Sequence, residues 1–294
     1  MYFSLLPFSV WIVLAFLWGS VWGSFGNVVI LRLPRGRSIL FPPSACPACN
    51  APIRPWHNIP VFSWLWLRGR CASCKAPFSV RYAIVEAFCG LLAVALLLHF
   101  DAQGVWDILR VSQWFVIFLF LWLLVVLSGI DWDTFILPDS LTLGGLVVFS
   151  VLSVSLGLRS LSETLWGAGF GFFALLALSW GYRVLRHREG LGLGDAKLLS
   201  LIGAVLGPWA LMIVIFFGAV CGLLISILFL LLRVRRDPPI PYVGISEADP
   251  EFDALFRTPP ESWMVTPMPF GPFLSAGAIC ALFSQDVWFS LFFG

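Results

Sequence analysis

Apolar runs close to the thickness of a bilayer recur along this chain, and nothing else constrains its fold as strongly. The blocks are Phe8–Leu31, Tyr82–Phe100, Ser112–Ile130, Leu141–Gly157, Leu165–Tyr182, Leu198–Leu206, Trp209–Leu232 and Phe273–Phe293, parted by polar or basic segments. About 20 apolar residues in a helix match the ~30 Å hydrocarbon core of a membrane. In lipid every backbone amide must be satisfied within the chain, so a spanning segment is a helix or part of a closed barrel, and blocks of this length select the helix. Composition agrees: 60% of the 294 residues are hydrophobic and 12% are charged, where a soluble domain carries about 25% charged residues. The expected fold is an all-α polytopic membrane protein of about eight transmembrane helices, with seven as the alternative. Leu198–Leu206 is too short to cross unless it begins before Asp195, and the last block is interrupted by Ser284–Asp286. The first block lacks a basic n-region and an A-x-A site, so it is expected to stay as a span.

Lysine and arginine orient the array. The segment Arg32–Arg81 holds eight of them, Arg183–Lys197 four and Arg233–Arg257 four, while the alternate loops hold only Arg110 and Arg159. Basic loops stay cytoplasmic, so the N-terminus is expected outside and the three basic loops in the cytoplasm. The net charge of +2 carries no footprint of a nucleic-acid partner. The expected organisation is a first helix (1–31), a cytoplasmic metal-binding domain (32–81), a transmembrane core (82–232), a cytoplasmic loop (233–269) and a last span (270–294). The proline- and acid-rich loop is expected to be irregular, with one short helix at Pro250–Phe256.

Two C-x-x-C knuckles, "CPACN" and "CASCK", supply Cys46 and Cys49 and, after twenty-one intervening residues, Cys71 and Cys74. That spacing matches a ribbon-type tetrahedral zinc site rather than unliganded thiols, and a cytoplasmic loop disfavours disulfides. Four thiolates close the shell, so such a metal is structural. His57, between the knuckles, is expected to be an ordinary loop residue, and Cys89, Cys221 and Cys280 packing residues.

The acids near the membrane carry the other signal. "SGIDWDTFILPDSLTL" sets Asp131, Asp133 and Asp139 at the end of one span and the start of the next, with no lysine or arginine between Asp131 and Asp139. Asp195 opens the sixth block on the same face. Ionisable groups at the hydrocarbon boundary are costly and are functional candidates by default. Asp139 reads best as a helix cap and Asp133 as a solvated interfacial charge. Asp131 follows fourteen apolar or small residues, which leaves a solvated role less comfortable. Asp195 fits either a cap favoured by the helix dipole or catalysis. Gly190, Gly192 and Gly194 allow unusual backbone angles and the approach of an extended chain. Two carboxylates at short range cannot both ionise, and such a pair can activate water. Glu86, a turn inside the second span, reads equally as a local partner of Arg81 or as a polar contact between helices.

Six segments together resemble the type IV prepilin peptidase family. "GSFGNVVILRLPRG" is similar to its G-S-F-x-N-V-V-I-x-R-L-P motif, and the knuckles fall where its zinc-binding loop lies. "RYAIVEAFCG" resembles R-Y-P-x-V-E, "DWDTFILPD" the D-x-D-x-x-x-x-P-D block, "GLGLGDAKLL" the G-x-G-D-x-K-L motif and "PMPFGPFL" the P-F-G-P-F-L signature. Gly26 stands where leucine is common, and Ala83 where proline is. The resemblance implies a GxGD-type aspartic endopeptidase with Asp131 and Asp195 as catalytic dyad, supported by Gly192, Gly194, Lys197, Asp139 and Glu86. It implies cleavage of a prepilin or pseudopilin leader after glycine at the cytoplasmic face of a bacterial inner membrane. It also implies S-adenosylmethionine as the donor that methylates the new N-terminal amine. The basic first loop is expected to meet the leader or anionic membrane lipid. The rivals are a related GxGD protease that cuts within a membrane span, which lacks the knuckles, and a proton- or cation-coupled transporter, which places acids at mid-membrane.

Overall fold

The computed structural model describes residues 7–101, 106–186, 192–232 and 268–293. Gly190 and the expected helix at Pro250–Phe256 lie outside the described residues. The helices are α1 (Phe8–Arg32), α2 (Phe62–Trp66), α3 (Val80–Asp101), α4 (Ile108–Thr134), α5 (Asp139–Ser155), α6 (Leu161–Arg186), α7 (Leu193–Leu206), α8 (Ala210–Leu231) and α9 (Gly271–Phe293). No strand occurs among the described residues; two isolated bridges, Ala45–Pro52 and Arg70–Pro77, sit at the knuckles.

Each expected span coincides with a helix, but among the described residues five are long and apolar enough to cross a membrane: α1, α3, α4, α6 and α8. Asp139–Ser155 and Gly271–Ser284 are shorter apolar stretches; helix α9 itself runs unbroken through Ser284–Asp286. Helix α7 does begin before Asp195, yet its 14 residues reach only about 21 Å. Its apolar side chains from Leu198 to Leu206 are all at most 2% exposed. A helix that is apolar all round can be a core element as well as a span, and α7 is packed as core.

The chain forms two compact units, Met1–Val126 and Leu127–Gly294, whose boundary falls within α4. In the first unit α1 and α3 pack antiparallel. As α1 advances through Gly19, Gly23 and Asn27, its neighbours on α3 recede from Cys89 and Ala93 to Glu86 and Tyr82. A Cβ on Gly19 would strike the Cys89 carbonyl, and one on Gly23 the Glu86 backbone; small residues are what let membrane helices approach so closely. Gly26 faces the Trp122 indole, whose Nε1 donates to the Trp22 carbonyl at 2.7 Å. The glycine at this position is therefore matched by a tryptophan on α4.

In the second unit α7 lies antiparallel to α6. A Cβ on Gly167 would collide with the Gly203 backbone, one on Gly171 with Leu199, and Ser200 Oγ donates to the Ala168 carbonyl at 2.9 Å. Helices α8 and α9 form a similar pair through Gly218 against Phe273 and Gly277 against Val214.

Candidate active site and metal centre

The metal domain repeats one local design twice. The Cys46 amide donates to the Ala51 carbonyl and Asn50 to Cys46, and then Cys71 donates to Ala76 and Lys75 to Cys71. Asn50 and Lys75 both turn the chain at positive φ, 53° and 62°. The two loops present Cys46, Cys49, Cys71 and Cys74 with all four sulfurs within 4.8 Å of one another. Cys46 Sγ and Cys74 Sγ stand 3.8 Å apart, and a tetrahedron of zinc–thiolate bonds has an edge of about 3.8 Å. The donor set and its spacing fit a structural zinc ion. The backbone amides of Cys74 and Ser73 pull the Cys71 thiol down to about 6. At Cys49 the Ala51 amide acts in the same sense but is outweighed, chiefly by Cys74, and the thiol lies up at about 11. Four sulfurs this close cannot all ionise without a cation among them, and their protons belong to the cluster rather than to single residues. His57 is not in this cluster.

Glu86 makes the expected polar contact between helices, its carboxylate meeting the Ser24 side chain on α1, and it also holds the loop domain. Its Oε2 accepts the Val61 amide at 2.7 Å, and Val61 is held at φ 65°, a region that β-branched residues rarely enter. The carboxylate thus fixes a strained turn of the loop domain onto α3. Around this point lies a cavity of 1040 Å³, lined among others by Phe25, Asn27, Arg54, Trp64, Tyr82 and Glu86.

The acids gather in the second unit. Helix α4 ends just beyond Asp131: Thr134 Oγ1 donates to the Ile130 carbonyl at 2.8 Å, and Phe135 takes φ 56°. A phenylalanine in the left-handed region is strained, and it sits four residues from Asp131. Asp131 is 4% exposed. Its Oδ2 accepts the backbone N–H of Gly271, 140 residues away, at 2.9 Å. Asp133 is half-buried.

Asp139 is the first residue of α5 rather than its cap, which is Pro138. Its carboxylate pairs with Lys197 on α7. The N-cap of α7 is Gly192, which places Asp195 in the first turn; its carboxylate reaches back to the Gly192 amide. This is the acidic half of a capping box. Gly192 has φ −73° and ψ 149°, an ordinary extended conformation, so its backbone does not require glycine. Gly194 is explained by packing: a Cβ there would lie 3.3 Å from Leu137 Cβ. The Leu137–Gly194 contact and the Asp139–Lys197 pair bring the segment after Asp131 against the first turn of α7. Gly271 is the residue that sequence reasoning overlooked as a site member. Its signal, a glycine between prolines in "PFGPF", was visible, but nothing local tied it to an acid 140 positions away.

These features define a helical, polytopic membrane protein with a four-cysteine metal domain and, in its second unit, a buried Asp131 near the segment that packs on the first turn of α7. The chain matches the Bacterial Peptidase A24 N-terminal domain over residues 17–100 and the Type IV leader peptidase family over residues 118–227. A prepilin leader peptidase/N-methyltransferase of Aeromonas hydrophila is 40% identical over 258 residues, covering 78% of this chain and 85% of that protein. One from Stutzerimonas stutzeri is 34% identical over 301 residues, covering 94% and 92%. One from Burkholderia pseudomallei is 32% identical over 319 residues, covering 99% and 91%. The chain belongs to the prepilin leader peptidase/N-methyltransferase family. No solved structure matches it.

Proposed function

We propose that this chain is an inner-membrane aspartic endopeptidase that removes the leader of type IV prepilins or pseudopilins and methylates the new N-terminal residue. Cleavage falls after glycine at the cytoplasmic face, where the lysine and arginine bias puts the basic loops. The observation that carries the reading is the gathering of acids in one compact unit. Asp131 is buried at the end of α4, Asp195 lies in the first turn of the buried helix α7, and Leu137–Gly194 and Asp139–Lys197 tie their segments together.

In this reaction Asp131 and Asp195 share one proton, since like charges at short range do not both ionise. The ionised member takes a proton from water as its oxygen attacks the scissile carbonyl carbon. The protonated member donates to the carbonyl oxygen. Collapse of the tetrahedral intermediate breaks the C–N bond, and the departing amine receives a proton from the dyad. Lys197 and Asp139 hold the entry to α7 against α5. Cys46, Cys49, Cys71 and Cys74 would hold a zinc ion that orders the loop domain, a closed four-thiolate shell offering no open position for water.

Methylation is assigned to the first unit. S-adenosylmethionine, when bound, supplies the electrophilic methyl group for the amine. The 1040 Å³ cavity is of the size of cofactor sites, about 300–1,000 Å³. Asn27 and Glu86 offer polar groups in its lining, and Phe25, Trp64 and Tyr82 aromatic ones.

Purified protein incubated with a prepilin peptide tests the reading, with Asp131→Asn and Asp195→Asn alongside. Both variants are expected to lose cleavage; full activity in either one sinks the dyad. Labelled S-adenosylmethionine in the same assay is expected to mark the cleaved N-terminus, and an unlabelled product removes the second activity.

A further inference from the structure

The start of α9 meets Asp131 through a backbone amide. Gly271 opens the helix, so its N–H has no acceptor within α9. It donates to Asp131 Oδ2 at 2.9 Å. The next residue, Pro272, has no N–H to compete, and the amides of Phe273 and Leu274 are taken by the Phe270 carbonyl. Of these first amides of α9, the Gly271 one is thus left to Asp131 Oδ2. The space is as specific as the bond: a Cβ on Gly271 would lie 2.6 Å from Oδ2 and 3.2 Å from Cγ. Nothing larger than glycine fits unless the carboxylate turns away. The frame behind it is firm, because Leu274 and Ala278 are 0% exposed and Gly277 packs on the Val214 backbone.

We infer that Gly271 is a positioning residue for peptide cleavage: its amide and its missing side chain fix the rotamer of Asp131 and so the direction from which that carboxylate meets water. The inference rests on the assignment of Asp131 to the dyad. It also gives the "PFGPF" segment a physical reason. The glycine admits the carboxylate, and the proline after it adds no competing amide from the next position.

The test compares two glycines of the same helix in the full-length protein. Gly271→Ala is expected to lower kcat for a prepilin peptide by about 100-fold, the scale of an ångström-sized misplacement. KM should stay within about twofold, since only the reacting group is disturbed. Methylation of a pre-cleaved pilin peptide should be retained. Gly277→Ala, which disturbs packing without touching Asp131, should lower Tm and reduce cleavage only in proportion to that loss. Cleavage by Gly271→Ala at the wild-type rate overturns the inference, as does a loss matched by equal losses in methylation and Tm. Should Gly271→Ala fold poorly, the contact is read from stability instead. In an Asp131→Ala background the same substitution should cost little, because the oxygen it strikes is gone; an undiminished cost overturns the inference. Asp131→Asn separates the two levels. If that variant is inactive while Gly271→Ala is normal, positioning alone fails; if Asp131→Asn is active, the dyad and this inference fall together.

Discussion

The metal centre and the acidic centre were built on opposite plans. In the first unit the four sulfurs come from two short loops of identical design, each closed by hydrogen bonds a few residues long. In the second unit Asp131, Asp139, Asp195, Lys197 and Gly271 come from four helices, and the Gly271 amide reaches Asp131 across 140 positions. A local site can be read from spacing because the same few residues that supply the ligands also set their geometry. A dispersed site depends on helix packing, where each contact is decided by elements far away in sequence. The first plan tolerates change elsewhere in the chain, whereas the second should fail when any packed helix shifts.

The sharpest way to break this comparison is at the acids themselves. Asp131→Asn or Asp195→Asn is expected to cut the cleavage rate by about 10⁴-fold, the cost of losing one member of a catalytic unit. Methylation of a pre-cleaved peptide, assigned to the other unit, should remain, and a joint loss of both activities would show that the two plans are not separable. Next in size is the metal. A Cys46→Ser, Cys71→Ser double variant should fall from about one bound metal per chain to nearly none, and residues 32–81 should become open to limited proteolysis. Unchanged metal content would refute the site.

Smaller effects sharpen the helix-packing side. Gly167→Ala pushes a methyl group into the Gly203 backbone, while Gly169→Ala meets open space. The first should cost about 1–3 kcal/mol by overpacking and the second almost nothing, as read from thermal unfolding in detergent. Equal costs would mean that α6 and α7 do not meet where Gly167 lies. Glu86→Ala removes the acceptor of the Val61 amide, and a hydrogen bond to a charged group contributes about 1.5–3 kcal/mol. Faster proteolysis around Val61 is the readout. The smallest change is expected at Lys197→Ala. Its partner Asp139 is 61% exposed, and a solvated ion pair contributes at most about 1 kcal/mol. A larger loss would show that this pair holds α5 against α7 more firmly than its exposure implies.

Much of this was legible in the sequence, for identifiable reasons. The apolar blocks gave all the long helices to within a turn or so, because hydrophobic length is a local property. The knuckle spacing selected the four cysteines whose sulfurs the fold brings together. Hydropathy treated α7 as one more span; burial on all sides inside protein leaves the same apolar pattern as exposure to lipid. The glycines of "GLGLGD" were read as backbone freedom, yet Gly192 has ordinary angles and Gly194 is small because Leu137 lies against it. Asp139 looked like a cap, since nothing near it in sequence announces Lys197.

The sequence by itself determined that this is a helical membrane protein with a four-cysteine metal domain and a small set of acids at the ends of its helices. Those conclusions follow from composition, period and spacing, all fixed over a few residues to a few turns. Only the tertiary structure decided that Asp131 is buried against the first amide of α9, that Asp195 reaches back to Gly192, and that Glu86 secures Val61. Each of these is a hydrogen bond whose donor and acceptor are chosen by packing rather than by proximity along the chain, and a buried carboxylate accepts whichever amide the packed helices present to it.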